Sequence, residues 1–260
     1  MKIYIDNIGR RVQFPAKLER MISLCPSVTE TLYDLGLAEK VVGRTKFCIH
    51  PSSEVKKAKI IGGTKKIDFA QIDALKPDVI WSVKEENTQE IVEELAKKHP
   101  VFVFDIDDFT SALEMIRVLG KLTETELLAN QLTKNIQSQW TALKNKVEAK
   151  KCLYFIWKEP LMLASKGTYI DTVLTHLGFE NLAHTLGERY PIIEEKQFAD
   201  LAIETIFLSS EPYPFAEKHL DYFRKLAPAA QIQIVDGEMF SWYGTRMLLA
   251  SDYFKQTLGL

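Results

Sequence analysis

Short runs of β-branched and aromatic residues alternate along the chain with longer segments in which apolar residues recur every three or four positions. That is the pattern of parallel strands joined by crossover helices. The runs predict strands over residues 2–5, 21–24, 41–43, 79–82, 101–104, 153–157, 205–208 and 231–235. Between the two groups of strands, residues 123–150 carry Leu127, Leu128, Leu132, Ile136, Trp140, Leu143 and Val147 on one helical stripe. This predicts a single amphipathic helix of unusual length. Thr123 followed by Glu126 has capping-box spacing, and the lysines at the far end suit the negative pole of the helix dipole.

The two halves echo each other. Residues 30–37 (ETLYDLGL) resemble 171–179 (DTVLTHLGF), each a helix ended by a glycine. Residues 69–81 and 198–208 each read as a short helix feeding a strand. The expected organisation is an α/β protein of two Rossmann-like lobes: an N-terminal lobe over 1–122, a connecting helix over 123–150 and a C-terminal lobe over 151–260. A cleft between duplicated lobes is a common place for a ligand.

The 260 residues, 46% hydrophobic and 26% charged, can bury a sizeable core. A formal net charge of -2 provides no positive field for phosphate backbones, so nucleic acid is not expected as a partner. Cys25, Cys48 and Cys152 are odd in number and lack CxxC spacing, which argues against a disulfide framework or zinc knuckle. The opening MKIYIDNIGRR lacks the apolar core of a secretory signal, and no run is long enough to span a bilayer. The location expected is therefore the periplasm or cell surface if a leader has been removed, and otherwise the cytoplasm.

Residues 20–36 (RMISLCPSVTETLYDLG), then 41–45 (VVGRT) and 74–80 (ALKPDVI), resemble the vitamin B12-binding and siderophore-binding proteins, the helical-backbone (class III) substrate-binding family of ABC transporters. The likeness continues through 6–12 (DNIGRRV), the 123–150 segment, 165–170 (SKGTYI) and 240–246 (FSWYGTR), and so covers almost the whole chain. It implies two lobes bridged by a rigid helix, with little hinge motion. It also implies a bound cobalamin, haem or ferric-siderophore-type metal chelate, no intrinsic cofactor, a monomeric state and delivery to an ABC permease dimer. The B12-binding relatives carry one exposed glutamate per lobe that docks onto the permease; here Ala70 and Lys196 stand at those positions, with Asp68, Glu194 and Glu195 nearby. Missing carboxylates weaken that electrostatic match. An intracellular metal-ion or tetrapyrrole carrier acting without a transporter is the alternative.

Ligand groups are expected on loops after strand C-termini, the binding edge of open α/β sheets. In the first lobe these are Phe47, Cys48 and His50; Cys48 and His50 could hold a metal ion, or His50 could reach the metal of a macrocycle. Cys25 precedes Ser27 and Thr29 at a helix start and suits packing as a small apolar residue. In the second lobe, Trp157, Lys158, Trp242 and Tyr243 could sandwich a planar ligand. Glu211 and Tyr213 sit in a proline-fixed turn. Arg189, Tyr190 and Arg246 suit carboxylate, amide-rich or phosphate side groups, or either arginine pairs with Glu211 or Glu238 to hold loops together. Trp81 and Trp140 are expected in the core. No catalytic motif is present. Cys48 beside His50 is the nearest approach to a nucleophile and base, and it lacks an orienting third group. The chain is expected not to be an enzyme.

Overall fold

Val79–Val83 (VIWSV) and Val101–Phe104 (VFVF) are buried along their whole length, which is how a strand covered by helices on both faces of a sheet must read. The computed structural model describes residues 1–260, and these fall into two units. The first comprises Met1–Ile106, Thr110–Ile136 and Tyr243–Arg246; the second comprises Asp107–Phe109, Gln137–Trp242 and Met247–Leu260.

The first unit opens with β1 (Lys2–Ile5) and β2 (Arg11–Phe14), an antiparallel hairpin. There follow β3 (Met21–Ser23), α1 (Pro26–Asp34), β4 (Val41–Arg44), β5 (Lys59–Ile60), α2 (Phe69–Leu75), β6 (Val79–Val83), α3 (Gln89–Ala96), β7 (Val101–Phe104), α4 (Phe109–Thr123) and α5 (Glu126–Leu143), of which Phe109 and the last turns of α5 from Gln137 belong to the second unit. The sheet runs β5-β4-β3-β6-β7 with every pair parallel. Strand β1, predicted to join that sheet, pairs only with β2, because Asp6 turns the chain back. Its carboxylate accepts from the backbone of Ile8 and Arg10 and from both Nε and Nη2 of Arg10.

The second unit contains β8 (Lys151–Trp157), β9 (Met162–Leu163), α6 (Tyr169–Leu177), β10 (Glu180–Asn181), β11 (Thr205–Ser209), α7 (Leu220–Leu226), β12 (Gln231–Val235), α8 (Gly237–Ser241) and α9 (Arg246–Leu258). Its sheet runs β10-β8-β11-β12 in parallel, with β9 antiparallel on β8. Leu153, Phe155, Ile206, Leu208 and Phe223 form part of its core. Trp140 is also buried there, donating its indole N–H to Met247 O at 2.8 Å among Phe109, His176 and Phe254. Trp81 is likewise a core residue of the first unit, stacked on Phe104.

The helix predicted over 123–150 forms in part, as α5, and stops short at both ends. Thr123 is the last residue of α4 and its hydroxyl bonds back to Leu119 O, so it caps nothing. Glu124 takes a left-handed φ of +63°, and Thr125 N–H closes onto Gly120 O before α5 begins at Glu126. At the far end α5 stops at Leu143, and the lysines expected in its last turn lie beyond it. The segment after it leaves helical geometry to satisfy the end of α6: Asn145 N–H bonds His176 O and Val147 N–H bonds Leu177 O, both at 2.9 Å. Orphan carbonyls at a helix end need donors, and here tertiary bonds outcompete one more turn of helix. Gly178, at φ +104°, closes α6 where a Cβ would meet Val147 O.

Candidate ligand-binding site

In the first unit the loops that leave β3, β5 and β6 are tied together by Asn87. This buried amide accepts from Val83 N and Ser82 Oγ, and donates to Leu24 O and Thr64 O. Its neighbour Glu86 has a carboxyl pushed above its usual range by burial. The segment Tyr243–Arg246 lies against α1: Tyr243 N–H reaches Ser27 Oγ, Thr245 N–H reaches Thr31 Oγ1, and Tyr243 Oη sits 3.5 Å from Cys25 Sγ. Burial, reinforced by Glu86, raises the Cys25 thiol to about 12. Burial also holds the Tyr243 phenol well above its ordinary value.

The loop after β4 buries Cys48 between two exposed apolar residues. Phe47 and Ile49 are about half exposed, whereas Cys48 is fully buried. The Cys48 thiol lies 3.1 Å from Thr45 Oγ1 and is raised by burial. The Cys48–His50 pair is therefore not an open metal site, and no three His, Cys, Asp or Glu side chains converge to hold an ion. An extended strand would send residues i and i+2 to one side, but the chain turns here, with Cys48 N–H bonded to Thr45 O, and the thiol faces the interior. His50 is only partly buried and its carboxylate neighbour is Glu30. Phe47 is the aromatic residue of this loop that a ligand can reach, with Ile49 exposed beside it.

In the second unit the ends of β8, β11 and β12 present a set of aromatic and acidic side chains. Trp157, directly at the end of β8, remains 39% exposed. Its indole N–H is held by Glu159 O at 3.0 Å, and Tyr213 packs edge-on against its ring with centroids 5.5 Å apart. Tyr213 is itself fixed by His219, whose Nδ1 accepts from Ala216 N–H and whose Nε2 lies 3.3 Å from the phenol oxygen. After β11, Ser209 accepts from Tyr154 Oη and donates to Glu211 O, which sets the loop that carries Glu211. Oε1 of Glu211 accepts from Ser241 Oγ at 3.0 Å and from the Trp242 indole N–H at 2.8 Å. Burial raises the Glu211 carboxyl, and Glu238 and Asp236 add to the shift against the two hydrogen bonds.

Trp242 and Glu211 are thus brought together, as are Trp157 and Tyr213. Lys158 points elsewhere, bonded to Glu159 and lying over the Tyr222 ring. Arg189 is exposed, takes φ +55°, donates to Gly167 O and stacks on Tyr190. Tyr243 and Arg246 are buried within the first unit, Arg246 against Glu30. Ala70 is exposed on the first turn of α2, behind the Asp68 cap. Lys196 is exposed and bonded to Glu194 at 2.6 Å. Asn87, Ser241, Glu86 and Glu30 were not singled out from sequence. Only Glu30 carries a signal, as a carboxylate on an otherwise buried helix face, which requires a buried cation.

A family model described as periplasmic binding protein matches residues 21–226. The vitamin B12-binding protein of Pectobacterium carotovorum is 26% identical over 242 residues, covering 90% of this chain and 86% of that one. Among solved structures, the periplasmic vitamin B12-binding protein of Vibrio cholerae superposes with a TM-score of 0.77 at 19% identity, covering 94% of this chain and 98% of that chain. A periplasmic heme-binding protein of Roseiflexus in its apo form gives 0.77 at 18% identity, covering 92% and 97%. At these identities the structural likeness establishes the fold.

Proposed function

Because this chain belongs to the periplasmic binding protein family, whose members are ligand carriers and not enzymes, we propose that it captures a corrinoid, haem or ferric-siderophore-type metal chelate for an ABC importer. The observation that carries this reading is Trp157, a large ring left 39% exposed at a strand C-terminus and propped edge-on by Tyr213. A ring held rigidly at a binding edge loses little entropy when a flat ligand stacks on it. The partly exposed Phe47 loop at the corresponding edge of the first unit offers apolar surface of the same kind. The B12-binding and heme-binding relatives support the ligand class.

The same kinship supports a location outside the cytoplasmic membrane, in the periplasm or at the cell surface, and no helix is long and apolar enough to cross a membrane. Delivery to a permease would have to read charges other than the two replaced at Ala70 and Lys196, and Asp68 is the exposed carboxylate nearest the first. The buried Cys48 thiol gives no support to the alternative of a bare metal-ion carrier.

Titration with cyanocobalamin, cobinamide, haemin and ferric siderophores, followed by quenching of tryptophan fluorescence, tests the ligand class. One of them should bind at micromolar concentration or below, and Trp157→Ala should weaken it roughly tenfold. If all of them fail to quench at micromolar levels, the ligand class is wrong.

A further inference from the structure

Both hydrogen bonds that the Glu211 carboxylate receives fall on the same oxygen. Oε1 accepts from Ser241 and Trp242, whereas Oε2 takes no bond from the protein and is not among the sealed, unsatisfied polar atoms. The side chain is partly buried in the loop just after β11, with one oxygen committed to positioning the Trp242 indole and the other open to whatever occupies this edge. Glu211 has no cation beside it. Lys158 is drawn towards Glu159 and Tyr222, and Arg189 is spent on Gly167 O and the Tyr190 ring. The two charged groups that bear on it most, Glu238 and Asp236, are also acidic.

An acceptor oxygen in an acidic, partly dehydrated setting rewards a ligand N–H and penalises a ligand carboxylate. The carboxylate can donate nothing, and it brings like charge into a region of low screening. The candidate ligands differ in this respect. The rim of a corrinoid carries neutral carboxamides, each with two N–H donors, whereas haem carries two propionates that are ionised at neutral pH.

Resting on the ligand class proposed above, we propose that Glu211 makes this edge selective for macrocycles rimmed with carboxamides and against those rimmed with ionised carboxylates. The residue acts twice, by orienting Trp242 through Oε1 and by receiving a ligand amide on Oε2.

A matched ligand series on the unaltered protein gives the test: cyanocobalamin, its monocarboxylic acid derivatives in which one carboxamide has become a carboxylate, and haemin, each titrated at pH 7.5. Cyanocobalamin should bind about tenfold or more tightly than haemin and than at least one of the monocarboxylic acids. Glu211→Gln, checked for an unchanged near-ultraviolet circular dichroism spectrum, should narrow both ratios several-fold. Haemin or every monocarboxylic acid binding as tightly as cyanocobalamin overturns the selectivity while leaving the ligand class intact. Ratios unchanged in Glu211→Gln overturn the role of this residue. Absence of binding by all three kinds of probe removes the corrinoid and haem readings, and the selectivity with them.

Discussion

Arg246 donates its Nε–H to Glu30 Oε2 at 3.0 Å, while its Nη2 lies 2.8 Å from Oε1; both side chains are buried within the first unit. The residues are 216 positions apart, so this contact closes the C-terminal segment Tyr243–Arg246 onto α1. It also answers the question left open by the sequence, where Arg246 was a candidate for ligand carboxylates: its carboxylate partner is Glu30. Burial raises the Glu30 carboxyl even though Arg246 opposes the shift. Removing one member of such a pair leaves the other charge buried and uncompensated, at a cost of about 3–5 kcal/mol. Urea unfolding of Arg246→Ala should show a loss of that size, and Glu30→Leu combined with Arg246→Met should lose less than either single change. A loss below about 1 kcal/mol in Arg246→Ala would show that the pair does not hold the segment.

Glu86 should destabilise the protein at neutral pH. Its folded-state pKa lies above the ordinary 4.5, through burial first and Glu85 second, against Lys65 and Thr64. The native state therefore holds this proton more tightly than the unfolded chain does. Stability from this group rises as pH falls through the folded pKa, and is complete below the unfolded value. Glu86→Gln should melt higher than the parent at pH 7.5, with the advantage shrinking towards zero near pH 4.5. Thermal melts at several pH values check this, and an advantage that does not depend on pH would contradict it.

All three cysteines should be inert in the native protein. Cys25, Cys48 and Cys152 are each at most 2% exposed, and burial raises every one of the thiols. The thiolate is the reactive form. Ellman's reagent should titrate essentially no thiol in buffer at pH 8 and all three cysteines in guanidinium. Rapid native reaction at Cys48 would reopen the possibility of a metal or nucleophilic role there.

Gly244 should tolerate no side chain. Its φ is +77°, and a Cβ would collide with Thr31 Oγ1 and approach Met115 Cε at 3.1 Å and Ser27 O at 3.3 Å. The collision and the left-handed backbone together should cost Gly244→Ala about 2–4 kcal/mol. Adding Thr31→Ala should recover part of the loss, which denaturant unfolding of the single and double variants will measure.

The family resemblance was legible because its motifs lie in long stretches, residues 20–45 and 74–80, that the family match spans. Seven of the eight predicted strands take their places in the two parallel sheets, since a strand covered on both faces must be apolar throughout. The helix-ending glycines of the echoed segments were legible for a similar local reason: Gly36 and Gly178 both take left-handed φ values. The short strands β5, β9 and β10, each two residues long, leave no period to detect and exist only because a neighbour pairs with them.

Apolar periodicity and motif order, properties of consecutive residues, were enough to determine that this is an α/β protein of a ligand-carrier family. Four matters depended on contacts that no motif or period encodes, and only the tertiary structure decided them. The 123–150 helix breaks at both ends because Gly120, His176 and Leu177 offer carbonyls that no local pattern reveals. Cys48 turns inward to Thr45, and Arg246 is taken by Glu30. Which oxygen of Glu211 stays open depends on Ser241 and Trp242, some thirty residues on. A side chain's chemistry is written in its identity, but its availability depends on which partner reaches it first, and burial sets the cost of having none.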